Sequence, residues 1–224
     1  MSFQQNYERS STLTQVFFSW KIHRYIVDNP HYTELSIPRN QGREAMPYLT
    51  YIVDNYHSLP EYTVFVHGHE RAWHQPETVP MSLAALNLAA LDKEHYINLR
   101  CATGPGCTRQ TYMNIQETPE GDDRPAAKLL PHFWKLLFEH DIGIDDMGPP
   151  PTELAVPCCA QFAVTRQAIR GRSLAFWKKL RRPLERDLSE FKEELGEDLD
   201  GYVIGLLYEK LWHVVFGKPG VQYV

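Results

Sequence analysis

The sequence predicts an α/β protein, a single domain in which a mixed, mostly parallel sheet is flanked by helices. Three observations predict it. Short β-prone runs alternate with segments whose apolar residues recur at helical spacing, the pattern of strands joined by crossover helices. The 224 residues are enough for one sizeable core and short for two. The run 62–66 (YTVFV) stops abruptly on His67-Gly68-His69, so two imidazoles stand outside the carboxyl end of a strand, where α/β proteins hold ligands.

Residues 1–14 are polar and expected to be a flexible N-terminus, which leaves 15–224 as the single catalytic domain. VFFSW at 16–20 is a β-prone run and the first expected strand, and a second extended stretch leads to Ile37 and Pro38. Between Glu44 and Tyr56 the apolar positions Ala45, Tyr48, Leu49, Ile52, Val53 and Tyr56 recur in steps of three and four, which makes one buried helical stripe. Pro47 is tolerated because it falls in the first turn. Ser58, Leu59 and Pro60 end that helix and deliver the chain to the strand over 62–66.

Residues 80–91 (PMSLAALNLAAL) read as one further helix, followed by a short segment over 96–99 and a Gly-Pro loop at 103–107. The stretch 117–126 reads as an exposed excursion, 131–140 as a helix and 145–151 (DDMGPPP) as an extended linker within the domain. CCAQFAV at 158–164 is an expected buried strand, with Thr165 or Arg166 opening a helix that runs through Ile169. Ser173 is placed to cap the next helix, SLAFWKKLRR. The acidic stretch that follows and then 202–216 make the last helices, stopped by Gly217 and Pro219.

Hydrophobic content of 43% with 23% charged residues is ordinary for a globular chain. No apolar run approaches the roughly 20 residues that span a bilayer, and the start lacks the apolar core of a secretory signal. A cytoplasmic protein with no membrane partner is expected. Cys158 and Cys159 are adjacent and Cys101 and Cys107 flank a short loop, so they read as free thiols of a reducing compartment, without the paired CxxC spacing of a zinc site. No metal and no cofactor are expected.

Net charge is −5, which argues against a general nucleic-acid coat protein. Its distribution is uneven: the stretch 166–186 carries Arg166, Arg170, Arg172, Lys178, Lys179, Arg181, Arg182 and Arg186 with a single acid, Glu185, whereas 187–200 carries seven acids and one base, Lys192. The basic part could meet phosphate, or the two parts could be solvated faces that pair with one another.

The runs NQGREAMPYLTYIVDNYHSLPEYTVFVHGH, CCAQFAVTRQAIRGRSLAFW and YEKLWHVVFG span residues 37–217 in order. Together they resemble the best-marked blocks of a fungal family of arginine-containing cyclodipeptide synthases, long catalogued as a domain of unknown function. That resemblance implies an enzyme that joins arginine to a second amino acid and closes a diketopiperazine ring, with aminoacyl-tRNAs as substrates and partners. It also implies a glycosyltransferase-A-like fold. Where such a fold carries an acidic metal clamp, this chain has His67-Gly68-His69, and imidazoles suit hard divalent cations poorly. The alternatives are a glycosyltransferase-A-type enzyme using a nucleotide sugar, or a non-catalytic relative.

An aminoacyl ester is already activated, so amide formation needs a positioned α-amine, removal of its proton and donors for the oxyanion. His67 and His69 suit the base, since imidazole is partly unprotonated near neutral pH; otherwise they are strand-end histidines bonded to backbone. His74 joins the substrate set. Glu44 either complements the dipole of the helix it opens or receives a substrate ammonium or guanidinium, with Arg43 reaching a carbonyl or phosphate. Glu44 joins His67 and His69 in the expected catalytic set and Arg43 the substrate set; Glu209, the other candidate acid, and Trp212, three residues after it, are assigned to substrate. Gln161, an amide in an apolar strand, must find partners from the core or from a ligand. Arg166, the arginine of the QFAVTR block, joins the substrate set as well. Arg170, Arg172, Lys178, Lys179, Arg181 and Arg182 are the expected contacts to tRNA backbone.

Overall fold

The computed structural model describes residues 20–29, 31, 35–68, 77–100, 111–112, 125–155, 160–195 and 199–222. The apolar stripe after Glu44 forms helix α1 (Ala45–Asn55), with Ala45, Met46, Leu49 and Ile52 wholly buried. Strand β1 (Tyr62–Phe65) follows, alternately half-buried and buried. The single helix expected over 80–91 is two, α2 (Val79–Ala84) and α3 (Leu88–Glu94). Thr78 accepts from the Met81 N–H and Asn87 from the Ala90 N–H, so each helix starts on its own cap.

Strand β2 (Tyr96–Asn98) comes next, then β3 (Thr111–Tyr112) and helix α4 (Pro125–Phe138), which begins well before Pro131 and holds that proline in its interior. Strand β4 (Glu153–Leu154) pairs with β3 in a small ribbon that the sequence did not announce. Strand β5 (Phe162–Thr165) is shorter than the expected 158–164 and shifted toward its C-terminal end. Thr165 caps α5 (Arg166–Arg170), and Ser173 caps α6 (Leu174–Arg181) as expected. Helices α7 (Phe191–Leu195) and α8 (Gly201–Val215) close the chain, the latter started by Asp200 accepting from Tyr202 and Val203. The N-terminal segment 1–14 lies outside the described residues, as does the first expected strand apart from Trp20; Trp20, Ile37 and Pro38 belong to no strand.

The fold is a mixed α/β arrangement, with one correction. The described three-stranded sheet has the order β1-β5-β2, and β5 runs antiparallel to both neighbours, so the expected mostly parallel sheet is replaced by antiparallel ladders. β1 and β2 do point the same way, as two strands joined through helices should, but β5 lies between them. One face of the sheet, carrying Phe65, Phe162, Val164 and Tyr96, packs into the main core with α1, α4, α6 and α8. Each large apolar side chain fully buried there contributes about 1.5–3 kcal/mol. The other face, with Val64, Ala163 and Ile97, is covered by Leu91 and its neighbours from α2 and α3. No described helix is long and apolar enough to cross a membrane.

Candidate functional site

The site begins at the turn before α1. Gly42 and Arg43 both adopt left-handed backbone, with φ of 71° and 55°. Gly42 is required there twice over, since a Cβ would be strained at that φ and would run into the methyl groups of Leu184. The turn lays the Arg43 stem across Gly205 of α8, where a Cβ would stand 2.9 Å from Arg43 Cγ and Cδ. The guanidinium then sits 4.5 Å over the ring of Tyr202. By this close approach the first turn of α1 and the middle of α8 face one another.

Glu44 is the consequence. It stands at the N-terminus of α1, yet its side chain makes no cap hydrogen bond to the helix. Burial pushes its carboxyl up to about 7; Glu209 adds to the rise, while its own backbone N–H and Arg43 pull the other way. A carboxyl poised near neutrality in this manner can both take and give a proton. Glu209, expected as substrate-binding and equally consistent with a surface position on the last helix, is half-buried and within electrostatic reach of Glu44.

Arg100, which the sequence did not single out, completes the charge group. It is 1% exposed and lies just beyond β2; burial lowers its pKa, and Glu77 and Glu209 oppose that fall. Beneath the carboxylates lies an aromatic floor. The ring of Tyr48 is 4.8 Å from Phe65, 5.9 Å from Phe162 and 6.0 Å from Trp212. Tyr48 and Trp212 are both buried, and among the described residues neither the tyrosine hydroxyl nor the indole N–H has a hydrogen-bond partner. Burial, seconded by Glu44, raises the Tyr48 phenol well above its usual range, so it stays a donor.

At the rim of the sheet, the His67 N–H donates to Gln161 Oε1 at 3.0 Å, and the Leu99 N–H donates to the Gln161 carbonyl at 2.9 Å. His67 and Gln161 therefore share one rim, next to Arg100. The fold itself gives the Gln161 amide oxygen a partner, the first of the two alternatives open for it. Arg166 is placed away from this rim. It sits at the opposite rim, its N–H bonded to the Glu61 carbonyl at 2.8 Å and its guanidinium 3.4 Å from the Glu61 carboxylate. His69, His74, Cys101, Cys107, Cys158 and Cys159 lie outside the described residues.

Most of the basic set is engaged within the fold. Arg170 donates to the carbonyls of Tyr56 and His57, after the end of α1, at 3.3 and 3.1 Å. Arg172 donates to Ile144, Asp146 and Val215 carbonyls, and so fastens the irregular segment after α4. Lys179 pairs with Asp141, and Arg181 with Glu185 and Asp54. Lys178 and Arg182 are exposed. Helix α6 leads through Leu184 back to Gly42, so Arg182 lies toward the same end of the molecule as Glu44.

Of the residues singled out in the sequence, the structure brings Glu44 and Glu209 within electrostatic reach and sets His67 beside Gln161 at one rim, while Tyr48 and Arg100, which lie with them, were not singled out as site residues. Tyr48 was legible as the residue one turn after Glu44; Arg100 gave no signal, because it follows a three-residue strand. Among the described residues, no group of three or more His, Cys, Asp and Glu side chains could hold a metal ion. A family model described as a protein of unknown function, DUF3431, matches residues 4–223. No curated protein and no solved structure matches the chain.

Proposed function

The chain belongs to the DUF3431 family of proteins of unknown function, and from that premise we propose that it is an aminoacyl-tRNA-dependent cyclodipeptide synthase joining arginine to a second amino acid. The observation that carries the reading is the half-buried Glu44, with a pKa of about 7, beside Glu209 at the junction of α1, α8 and the sheet rim. It is supported by the resemblance of the GRE, QFAVTR and YEKLWHVVFG blocks to arginine-containing cyclodipeptide synthases.

The chemistry follows from the groups present. The α-amine of one aminoacyl ester attacks the ester carbonyl of the other. A C–N bond forms, the C–O bond to the terminal ribose breaks, and the amine proton passes through the Glu44 carboxylate to the departing ribose oxygen. A second attack of the same kind closes the ring and releases the second ribose hydroxyl. An α-amine titrates at roughly 7.7 to 8, close to Glu44, so transfer in either direction is nearly thermoneutral. His67, held at the rim through its backbone bond to Gln161, is the second proposed base. Lys178 and Arg182 are the exposed cations left to meet tRNA backbone. His69 and His74 remain in the proposed catalytic and substrate sets. A cytoplasmic enzyme without a metal or other cofactor belongs to the same proposal.

A glycosyltransferase-A-like scaffold is implied by the same resemblance, and the antiparallel run of the described sheet gives it no support. The test is mass spectrometry of small molecules from two unrelated hosts expressing the chain and its Glu44→Gln variant. A new arginine-containing diketopiperazine is expected with the parent chain only. No new cyclic dipeptide in either host overturns the reading. Thermal stabilisation by a nucleoside diphosphate with Mn²⁺ would instead favour the nucleotide-sugar alternative.

A further inference from the structure

We propose that the facing surfaces of α1 and α8 form a receptor for the head of an α-aminoacyl group: Glu44 and Glu209 take the ammonium, and the Tyr48 hydroxyl and Trp212 indole N–H donate to the acyl oxygen. The two helices carry matching pairs. Glu44 and Tyr48 are four residues apart on α1, and Glu209 and Trp212 are three apart on α8, spacings that put each acid and its aromatic neighbour on one helix face. The Gly42-Arg43 turn seated on Gly205 brings those faces together, and the Tyr48 and Trp212 rings lie 6.0 Å apart.

Two observations point independently to a ligand. Two half-buried carboxylates lie within electrostatic reach of one another, and Glu209 adds to the rise of the Glu44 carboxyl. Beside them, Tyr48 and Trp212 are 7% and 2% exposed and leave a hydroxyl and an indole N–H without partners among the described residues. Leaving a buried donor unsatisfied carries a desolvation penalty that packing alone does not recover. Donors of this kind meet an oxygen, carboxylates meet a cation, and an amino acid's ammonium and acyl oxygen present both on groups joined to one carbon. A donor pair preorganised in an apolar surround would also bind the oxyanion of the tetrahedral intermediate more tightly than the ground-state carbonyl. The identity of the acyl donor rests on the function proposed above, whereas recognition of the aminoacyl head does not.

Equilibrium titration followed by intrinsic tryptophan fluorescence separates the two. L-Arginine amide presents both halves of the head, agmatine lacks the acyl oxygen, and Nα-acetyl-L-arginine amide lacks the ammonium. The parent chain is expected to bind L-arginine amide most tightly, with both analogues weakened. Tyr48→Phe keeps the ring and removes the hydroxyl. It is expected to weaken L-arginine amide roughly five- to tenfold, the worth of one hydrogen bond, and to leave agmatine unchanged. Glu209→Gln is expected to weaken agmatine and L-arginine amide alike.

Equal binding of the acetylated compound, an unchanged affinity in Tyr48→Phe, or no binding of L-arginine amide by the parent chain would each overturn the proposal. Circular dichroism of both variants establishes that they are folded. A chain that makes a cyclic dipeptide but binds these probes indiscriminately retains its function and loses this site. One that discriminates among them as described but yields no dipeptide retains the site and loses the function.

Discussion

Replacing Glu44 by glutamine tests the site through stability, independently of any substrate. In the folded chain the carboxyl titrates at about 7, against 4.5 for the free group, because burial disfavours its charged form. The folded state therefore binds more protons than the unfolded state between those values. The stability this group contributes is fully present below pH 4.5 and is lost as pH rises through 7. The shift corresponds to about 3 kcal/mol in full, of which about 2.5 kcal/mol is lost between pH 5 and pH 8.5. Glutamine has nearly the same shape and no charge, so the variant lacks this pH-dependent loss.

The assay is urea unfolding of both proteins at pH 5 and pH 8.5. The stability difference, variant minus parent, should rise by about 2.5 kcal/mol from the lower to the higher pH. In melts the same change is worth roughly 5–10 °C for a chain of this size. Product formation should fall on the order of a hundredfold or more if Glu44 moves the amine proton. A stability difference that is the same at both pH values would refute the reasoning. It would mean that Glu44 titrates like an exposed acid and that its proximity to Glu209 has no energetic consequence.

Four further variants test other parts of the structure. His213 is wholly buried, with Nε2 2.9 Å from the Gly220 carbonyl, and burial pulls its pKa down to about 4. Its stabilising contribution is present above pH 6.5 and is lost as pH falls through 4, so His213→Gln should remove an acid destabilisation of about 2 kcal/mol at pH 5, measured by urea unfolding across that range. Gly42→Ala should lower stability by about 2–4 kcal/mol, from left-handed strain and collision with Leu184, and denaturant midpoints will report it. Arg172→Ala should cost about 1.5–3 kcal/mol by releasing three backbone carbonyls, whereas the double change Lys178→Ala, Arg182→Ala should alter stability by no more than about 0.5 kcal/mol. If those two lysine and arginine side chains meet tRNA phosphates, the double variant should flatten the salt dependence of tRNA binding by about 1.5 in log–log slope, read by filter binding.

The helices were legible where periodicity and caps agreed. α1 is a stripe of buried residues at three- and four-residue steps, and α5 and α6 start on the hydroxyls of Thr165 and Ser173. The break between α2 and α3 was written in Asn87, whose side chain caps the second helix, but the apolar run on both sides of it concealed the signal. The direction of the sheet was not local information. The run from β1 through α2 and α3 to β2 does yield two strands pointing the same way, as the alternation predicts, and only β5, more than sixty residues further along, inserts between them and makes both ladders antiparallel.

The site was half legible for a related reason. A strand ending on His67 drew attention to the rim, and Gln161 does meet it there, but through a backbone N–H rather than through chemistry at the ring. The charge that matters came from two helices far apart in sequence, and no local pattern tells a solvated glutamate from one pressed against another helix. What distinguishes Glu44 is Gly205, the residue without a side chain that lets the Arg43 stem lie flat on α8. An added methyl there would stand 2.9 Å from that stem and 3.3 Å from the Gly42 carbonyl, so Gly205→Ala must move the turn. Alanine is also the better helix former by about 1 kcal/mol. The variant should therefore lose activity out of proportion to any loss of stability, and a pH dependence of unfolding that no longer carries the Glu44 step would place the cause at that contact.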